Sequence, residues 1–182
     1  PQIQLRMSSN LAWDMPTATS GEADSDHGGN KAVDSSSSSR WASAQDSSQN
    51  WWRVDLKSEL YQIHEVQINW EACYCSEYKM QYSNDDSIWT DGPSDTISSS
   101  GWRAIALSSP VSARYWRMWC TTIKSGCSGV SMYDVMILGR RGYDCSCNDG
   151  FITNSASTYN CLATPAPTAS PTNAPTNVPT DA

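Results

Sequence analysis

From residue 51 onward the chain is a succession of short runs rich in β-branched and aromatic residues, each closed by turn-formers. That rhythm restricts it to an antiparallel sandwich or barrel. The runs cover 51–56, 61–70, 78–83, 103–107, 113–119 and 130–138, and Asn84-Asp85-Asp86, Gly92-Pro93 and Ser108-Ser109-Pro110 read as turns between them. In the second run the apolar positions Tyr61 and Ile63 switch parity to Val66, Ile68 and Trp70. A strand that changes faces needs an extra residue, so a bulge is predicted near His64-Glu65. His64 is then a bulge or solvent-side residue rather than a base, since no nucleophile motif accompanies it. Residues 8–50 are rich in Ser, Asp, Asn, Gly and Ala without helical periodicity, and read as long loop with short strands.

Composition removes several function classes. The 12 Lys and Arg stand against 19 Asp and Glu, a formal charge of −7, which is the wrong sign for nucleic acid or anionic lipid. No apolar run approaches the roughly 20 residues that cross a bilayer, and no basic-then-apolar leader opens the chain. A secreted or cell-surface product without membrane insertion is expected. Nine Trp and eight Tyr against one Phe suit strands and surfaces where an apolar ring also needs a polar handle. No Gly-x-Ser-x-Gly, His-Glu-x-x-His or phosphate loop occurs, and Asp85-Asp86 sits in an expected turn, so no enzyme is expected. The seven cysteines are Cys73, Cys75, Cys120, Cys127, Cys145, Cys147 and Cys161, with His27 and His64 far from any pair. Disulfides in an oxidising compartment are the simpler reading; Cys-x-Cys is too tight for the usual zinc knuckle.

After Gly139-Arg140-Arg141-Gly142 the character changes, which divides the chain into a domain at 1–140, a small cysteine-bearing segment at 141–162 and a stalk at 163–182. The stalk repeats Pro-Thr every four residues and lacks the apolar content to fold, which favours an extended polyproline II path. No Asn-x-Ser/Thr sequon occurs, so sugar on the chain would be O-linked, at Thr164, Thr168, Ser170, Thr172, Thr176 and Thr180.

Seven ordered blocks carry a family resemblance: Gly29-Asn30-Lys31-Ala32-Val33-Asp34, Ser39-Arg40-Trp41-Ala42-Ser43, Trp51-Trp52-Arg53-Val54-Asp55-Leu56, Ile68-Asn69-Trp70-Glu71, residues 78–85, residues 113–118 and Ser131-Met132-Tyr133-Asp134-Val135. Together they resemble the discoidin (coagulation factor V/VIII type C) domain and the related carbohydrate modules, over roughly residues 11–139. The resemblance implies a jelly-roll-like, galactose-binding-like antiparallel β-sandwich. It also implies a structural calcium held by the carbonyls of Lys31, Ser36 and Tyr133, the carboxylates of Asp34 and Asp134 and the hydroxyl of Ser39. Two positions depart from the pattern: Ser35 stands where the family has Gly, and Asp134 is shorter than the usual Glu. The bland reading is an Asx turn at Asp34 with Asp134 solvated. Trp41, Trp52, Trp116, Arg40, Arg114 and Arg117 are expected to pack and pair inside the sandwich.

In such modules the sugar sits in loops at one end, stacked on an exposed ring. Here those loops would be 42–50, 71–77 and 121–130, with Trp13, Glu71, Tyr74 and Lys124 as candidate contacts. Cys73 and Cys75 replace small residues, and both are expected to bridge to Cys120 and Cys127, locking the loops and threatening to block the pocket. The last three cysteines resemble the end of an epidermal-growth-factor module, where Cys147 would pair with Cys161 and leave Cys145 for another chain. The expected function is a secreted, non-enzymatic module for glycan binding and adhesion in an extracellular assembly, with glycans or glycoproteins as partners. A self-associating subunit of a glycan-coated filament is the alternative.

Overall fold

The computed structural model describes residues 9–45, 49–59 and 61–141, with the backbone of 151–153 and 161–163. The chain divides into two compact units, Pro1–Gly142 and Tyr143–Ala182. In the first unit the strands are β1 (Ser9–Asn10), β2 (Thr17–Thr19), β3 (Trp41–Ala42), β4 (Asn50–Asp55), β5 (Tyr61–Trp70), β6 (Cys75–Ser83), β7 (Thr90–Thr96), β8 (Gly101–Ser112), β9 (Tyr115–Ile123) and β10 (Ser131–Arg141). Two five-stranded sheets result, β1-β10-β5-β8 with β3 paired to β10, and β2-β4-β9-β6-β7. Every pairing is antiparallel. The expected all-β sandwich is what forms.

Alternation along the strands builds the core. In β4, Trp52 and Val54 are buried while Trp51 and Arg53 point outward, and in β9 Trp116 and Met118 are buried between outward Tyr115, Arg117 and Trp119. Trp41, Trp52, Trp70 and Trp116 are all buried, and full burial of a large apolar side chain stabilises by roughly 2–3 kcal/mol. Trp52 also donates from Nε1 to the Gly29 carbonyl at 2.8 Å, which fastens the 3-10 turn Gly29–Ala32 onto the sandwich. Only glycine fits there, because a Cβ at Gly29 would lie 2.7 Å from Thr19 Cγ2.

The arginines behave differently from the tryptophans. Arg114 pairs with Asp55 at the sheet end, and Arg40 lines a surface cleft. Arg117 lies on the outer face of the second sheet, its guanidinium over Trp89 at 4.0 Å, Trp119 at 4.7 Å and Trp51 at 5.9 Å. A guanidinium that finds an aromatic face or a carboxylate outside has no reason to accept the desolvation cost of the interior.

The predicted bulge is present: both neighbours of β5 pair with Ile63 and Glu65 and skip His64, β10 through the consecutive residues Gly139 and Leu138. Two expected turns are instead parts of strands. Gly92-Pro93 falls within β7 where pairing jumps from Lys79↔Ser94 to Gln81↔Asp91, and Ser108-Ser109-Pro110 falls within β8 where it jumps from Glu65↔Ala106 to Ile63↔Val111. β7 and β8 are edge strands, where proline removes no ladder bond and an irregularity blunts the open edge.

In the second unit two three-residue strands, β11 (Phe151–Thr153) and β12 (Cys161–Ala163), pair antiparallel. The expected roles of Cys145, Cys147, the Cys161 side chain and Thr164, Thr168, Ser170, Thr172, Thr176 and Thr180 lie outside the described residues, as does the expected polyproline stalk. Among the described residues no helix is long and apolar enough to cross a membrane.

Candidate functional site

At the end of the sandwich where β10 begins, four segments surround an open cleft of about 320 Å³. Its polar lining includes Asp24, His27, Arg40, Gln45 and Glu71, and residues 128–131 complete the wall. The Asp24 carboxylate caps the 3-10 turn Ser25–His27 by accepting from the Asp26 amide at 2.9 Å, and it accepts from His27 Nδ1 at 2.7 Å. The His27 ring and then the Asp26 amide hold Asp24 below the usual carboxylate range. Capping here does more than start a turn, because it aims an anion and an imidazole into the same cleft.

Across the cleft, Glu71 leaves the end of β5. Its Oε2 accepts from the Ser131 hydroxyl at 2.6 Å and the Cys73 amide at 3.4 Å. Burial alone would raise its pKa, but Ser131, the Cys73 and Ala72 amides and the Arg40 charge outweigh it, and Glu71 too lies below its ordinary range. The Ser43 hydroxyl accepts from the buried Val130 amide at 2.9 Å, and the Ser43 amide donates to the Val130 carbonyl at 2.8 Å. This reciprocal pair seats segment 41–45 against 128–131. Gly129 permits the approach, since a Cβ there would stand 2.8 Å from Ser43 Oγ.

Two disulfides cross this end of the sandwich: Cys73–Cys127 ties the facing loops and Cys75–Cys120 joins β6 to β9. The cleft stays open beside them: Cys73 is part of its wall rather than a plug. Of the four candidate contacts, Glu71 lines the cleft and the others do not. Tyr74 is buried in the core under Lys124, whose Nζ lies 5.3 Å from the ring centre and donates to the Ala72 carbonyl at 3.1 Å. Trp13 is 61% exposed on a turn held by the Asp14 amide on the Val33 carbonyl. The lining contains no Trp, Tyr or Phe, so a bound molecule would be read there by hydrogen bonds and charge rather than by ring stacking. Asp24, His27 and Arg40 were the residues missed; an Asp three places before a His at a turn was the local trace of two of them.

A second polar corner lies where Asp34 meets β10. Asp34 accepts from the Ser39 hydroxyl with both oxygens, at 2.9 and 2.7 Å, and from the Ser36 amide at 3.0 Å. Asp134 Oδ1 is buried with no hydrogen-bond partner. Burial pushes the Asp134 carboxyl up, and the negative charge of Asp34 adds to the push. Among the described residues no group of three or more His, Cys, Asp or Glu side chains gathers around one point. Two carboxylates with one orphaned oxygen nevertheless fit a hard cation that completes its shell from carbonyls and a hydroxyl, as Lys31, Ser36, Tyr133 and Ser39 could supply.

Comparison with known proteins agrees with this architecture. A profile of the F5/8 type C domain matches residues 16–134. Chitosan-binding module 1 of a chitosanase/glucanase from Paenibacillus sp. IK-5 is 31% identical with a TM-score of 0.65, over 71% of this chain and 98% of the module. Chitosan-binding module 2 of the same enzyme, solved with chitotriose, is 34% identical with a TM-score of 0.65, over 70% and 98%. A family 32 carbohydrate-binding module of Clostridium perfringens NanJ, solved with galactose, shares the fold at 13% identity and a TM-score of 0.62, over 72% and 98%. No curated protein matches the chain. Blocks, sandwich and relatives converge: this chain belongs to the F5/8 type C, or discoidin-like, domain family.

Proposed function

We propose that the domain is a secreted, non-catalytic glycan-binding module whose cleft takes an oligosaccharide bearing a cationic amino sugar. The observation that carries this reading is the pair of carboxylates, Asp24 and Glu71, both held ionised in one open cleft of a chain with net charge −7. About 320 Å³ is the low end of small-molecule sites and suits one or two sugar rings. Relatives at 31 and 34% identity that are named for chitosan binding support the same class of ligand. The relatives at 31 and 34% identity are named as binding modules, which favours binding over catalysis. Two disulfides favour an oxidising compartment outside the cell.

Calcium belongs to the same reading. Lys31, Asp34, Ser36, Ser39, Tyr133 and Asp134 would hold it, and it would supply charge to an otherwise uncompensated pair of carboxylates. The Lys31 and Asp34 loop follows the turn Ser25–His27 along the chain, so a filled site would stiffen one rim of the cleft.

Calorimetric titration with a glucosamine trimer, its N-acetylated counterpart and galactose tests the proposal. Binding should favour the cationic trimer, and Glu71→Gln should weaken it by about tenfold, near the value of one charge-assisted hydrogen bond. It should fade as pH rises and the ligand amine loses its proton. On the acid side it should persist below the ordinary carboxylate range of about pH 4, because Asp24 and Glu71 are both depressed. Equal affinity for all three sugars, or none, would sink the reading.

A further inference from the structure

We infer that the Cys73–Cys127 disulfide is a positioning element for the cleft, holding Glu71 against Ser131 and thereby setting the preference for a charged sugar. This rests on the glycan reading of the cleft. Cys73 is anchored three ways. Its amide donates to Glu71 Oε2, its carbonyl accepts from the Ser131 amide at 2.7 Å, and its sulfur is bonded to Cys127. Segment 71–74 thus has one covalent link to segment 124–131; the rest of its attachment is non-covalent, the burial of Tyr74 and hydrogen bonds from the Glu71 amide to the Ser131 carbonyl at 3.2 Å, from the Lys124 amide to the Tyr74 carbonyl at 3.1 Å and from Lys124 Nζ to the Ala72 carbonyl at 3.1 Å.

The sequence of that second segment shows why a covalent link matters. Lys124-Ser125-Gly126-Cys127-Ser128-Gly129-Val130 contains two glycines, one of them at φ 86°, and almost no apolar side chain to bury. Released, such a loop recovers a large backbone entropy, and the Ser131 hydroxyl no longer has a fixed carboxylate to meet. Glu71 would then sample rotamers in which its charge is solvated instead of facing the cleft.

The other bridge serves as an internal contrast. Cys75 and Cys120 are buried and join β6 to β9, two strands already laddered to one another, so their bond adds stability without placing a cleft residue. Cys73 and Cys127 are each only half-buried, open to a reductant. A dithiol would transfer two electrons and two protons, leaving two cysteine thiols and closing into its own disulfide.

The test uses the full chain and two probes, the glucosamine trimer and its N-acetylated counterpart, with tryptophan fluorescence confirming a folded domain. C73S/C127S should lose about tenfold in affinity for the cationic trimer and little for the acetylated one, so the selectivity ratio collapses. C75S/C120S should lower the unfolding midpoint and keep the ratio. S131A, which leaves both bridges intact, should fall between, and it decides the matter if C73S/C127S does not fold. A folded C73S/C127S with an unchanged ratio, or an unchanged ratio in S131A, overturns the positioning role while leaving the glycan reading intact. An oxidised wild type that binds neither trimer overturns both.

Discussion

Asp55 and Asp134 are two carboxylates largely withdrawn from water in the same sandwich, and the chain treats them in opposite ways. Asp55, at the end of β4, takes a two-pronged bond from Arg114 Nε and Nη2 at 2.8 and 2.9 Å and a third from the Lys57 amide at 2.8 Å. The Arg114 bond, more than any other influence, pulls it down to about 2. Asp134 has a buried oxygen with no partner and a like charge nearby, and it moves up. Desolvation acts on both; the internal partner and the sign of the neighbouring charge differ. The first site is finished within the chain, and the second has a valence that something outside the chain can fill.

The largest effect that separates them should come from Asp55→Asn. Removing the charge leaves Arg114 facing a neutral amide, and breaking such a partly buried pair costs about 2–3 kcal/mol in urea unfolding at neutral pH. The sign with pH follows from the depressed value. The folded pKa of about 2 lies below the ordinary 3.8, so the stabilisation is complete above the ordinary value and is lost as pH falls through 2. The gap between wild type and variant should therefore close across that interval. A gap that stays constant down to pH 2 would mean that packing, not the ion pair, holds this corner.

Next in size is the response of the open site. Saturating calcium at a hundredfold excess over its dissociation constant should stabilise the domain by about 2.7 kcal/mol relative to chelator. Asp134→Asn should abolish the response, and without calcium it should stabilise by about 1 kcal/mol, because it removes an uncompensated buried charge. Here the sign is reversed: a raised carboxyl pKa means that stability without the metal declines as pH rises through it. Calcium should cancel that decline. Identical melting in calcium and chelator would place Asp134 with Asp55 as a purely internal group, and the comparison would dissolve.

How far these sites could be read in advance depends on how local their cause is. The face switch in β5 was legible, bulge included, because parity is a property of adjacent residues. Gly92-Pro93 and Ser108-Ser109-Pro110 misled because turn chemistry and edge-strand irregularity draw on the same residues, and only pairing across the sheet separates them. Glu71 stood out beside the altered cysteine loop. Arg40 did not, since its place in the cleft depends on segments 24–27 and 71–73 arriving beside it, which no local pattern encodes. The absence of an aromatic ring from the cleft was equally unreadable: the nine tryptophans are divided among core, outer sheet face and isolated turns by long-range alternation.

The smallest effect concerns Ser35, beside Asp34 in the proposed calcium corner. This residue sits at φ 59°, in the left-handed region, and Lys57, two places beyond Asp55, sits at φ 62°. Asp34 and Asp55 are thus each followed closely by a strained non-glycine residue. Left-handed backbone costs an L-residue roughly 1–2 kcal/mol, and glycine returns part of that gain through a freer unfolded chain. Ser35→Gly should accordingly stabilise by about 0.5–1 kcal/mol, read as a small rise in the urea midpoint. Lys57→Gly should gain less, because it also removes the Lys57 Nζ contact to Asp55 at 3.5 Å. The informative quantity is the calcium increment in Ser35→Gly. If it is unchanged, the strain at Ser35 is independent of the cation, and the bonds from the Ser36 amide and the Ser39 hydroxyl to Asp34 hold the turn. If it shrinks, the cation itself enforces the left-handed turn, and the strain is part of how this corner stays open until it is filled.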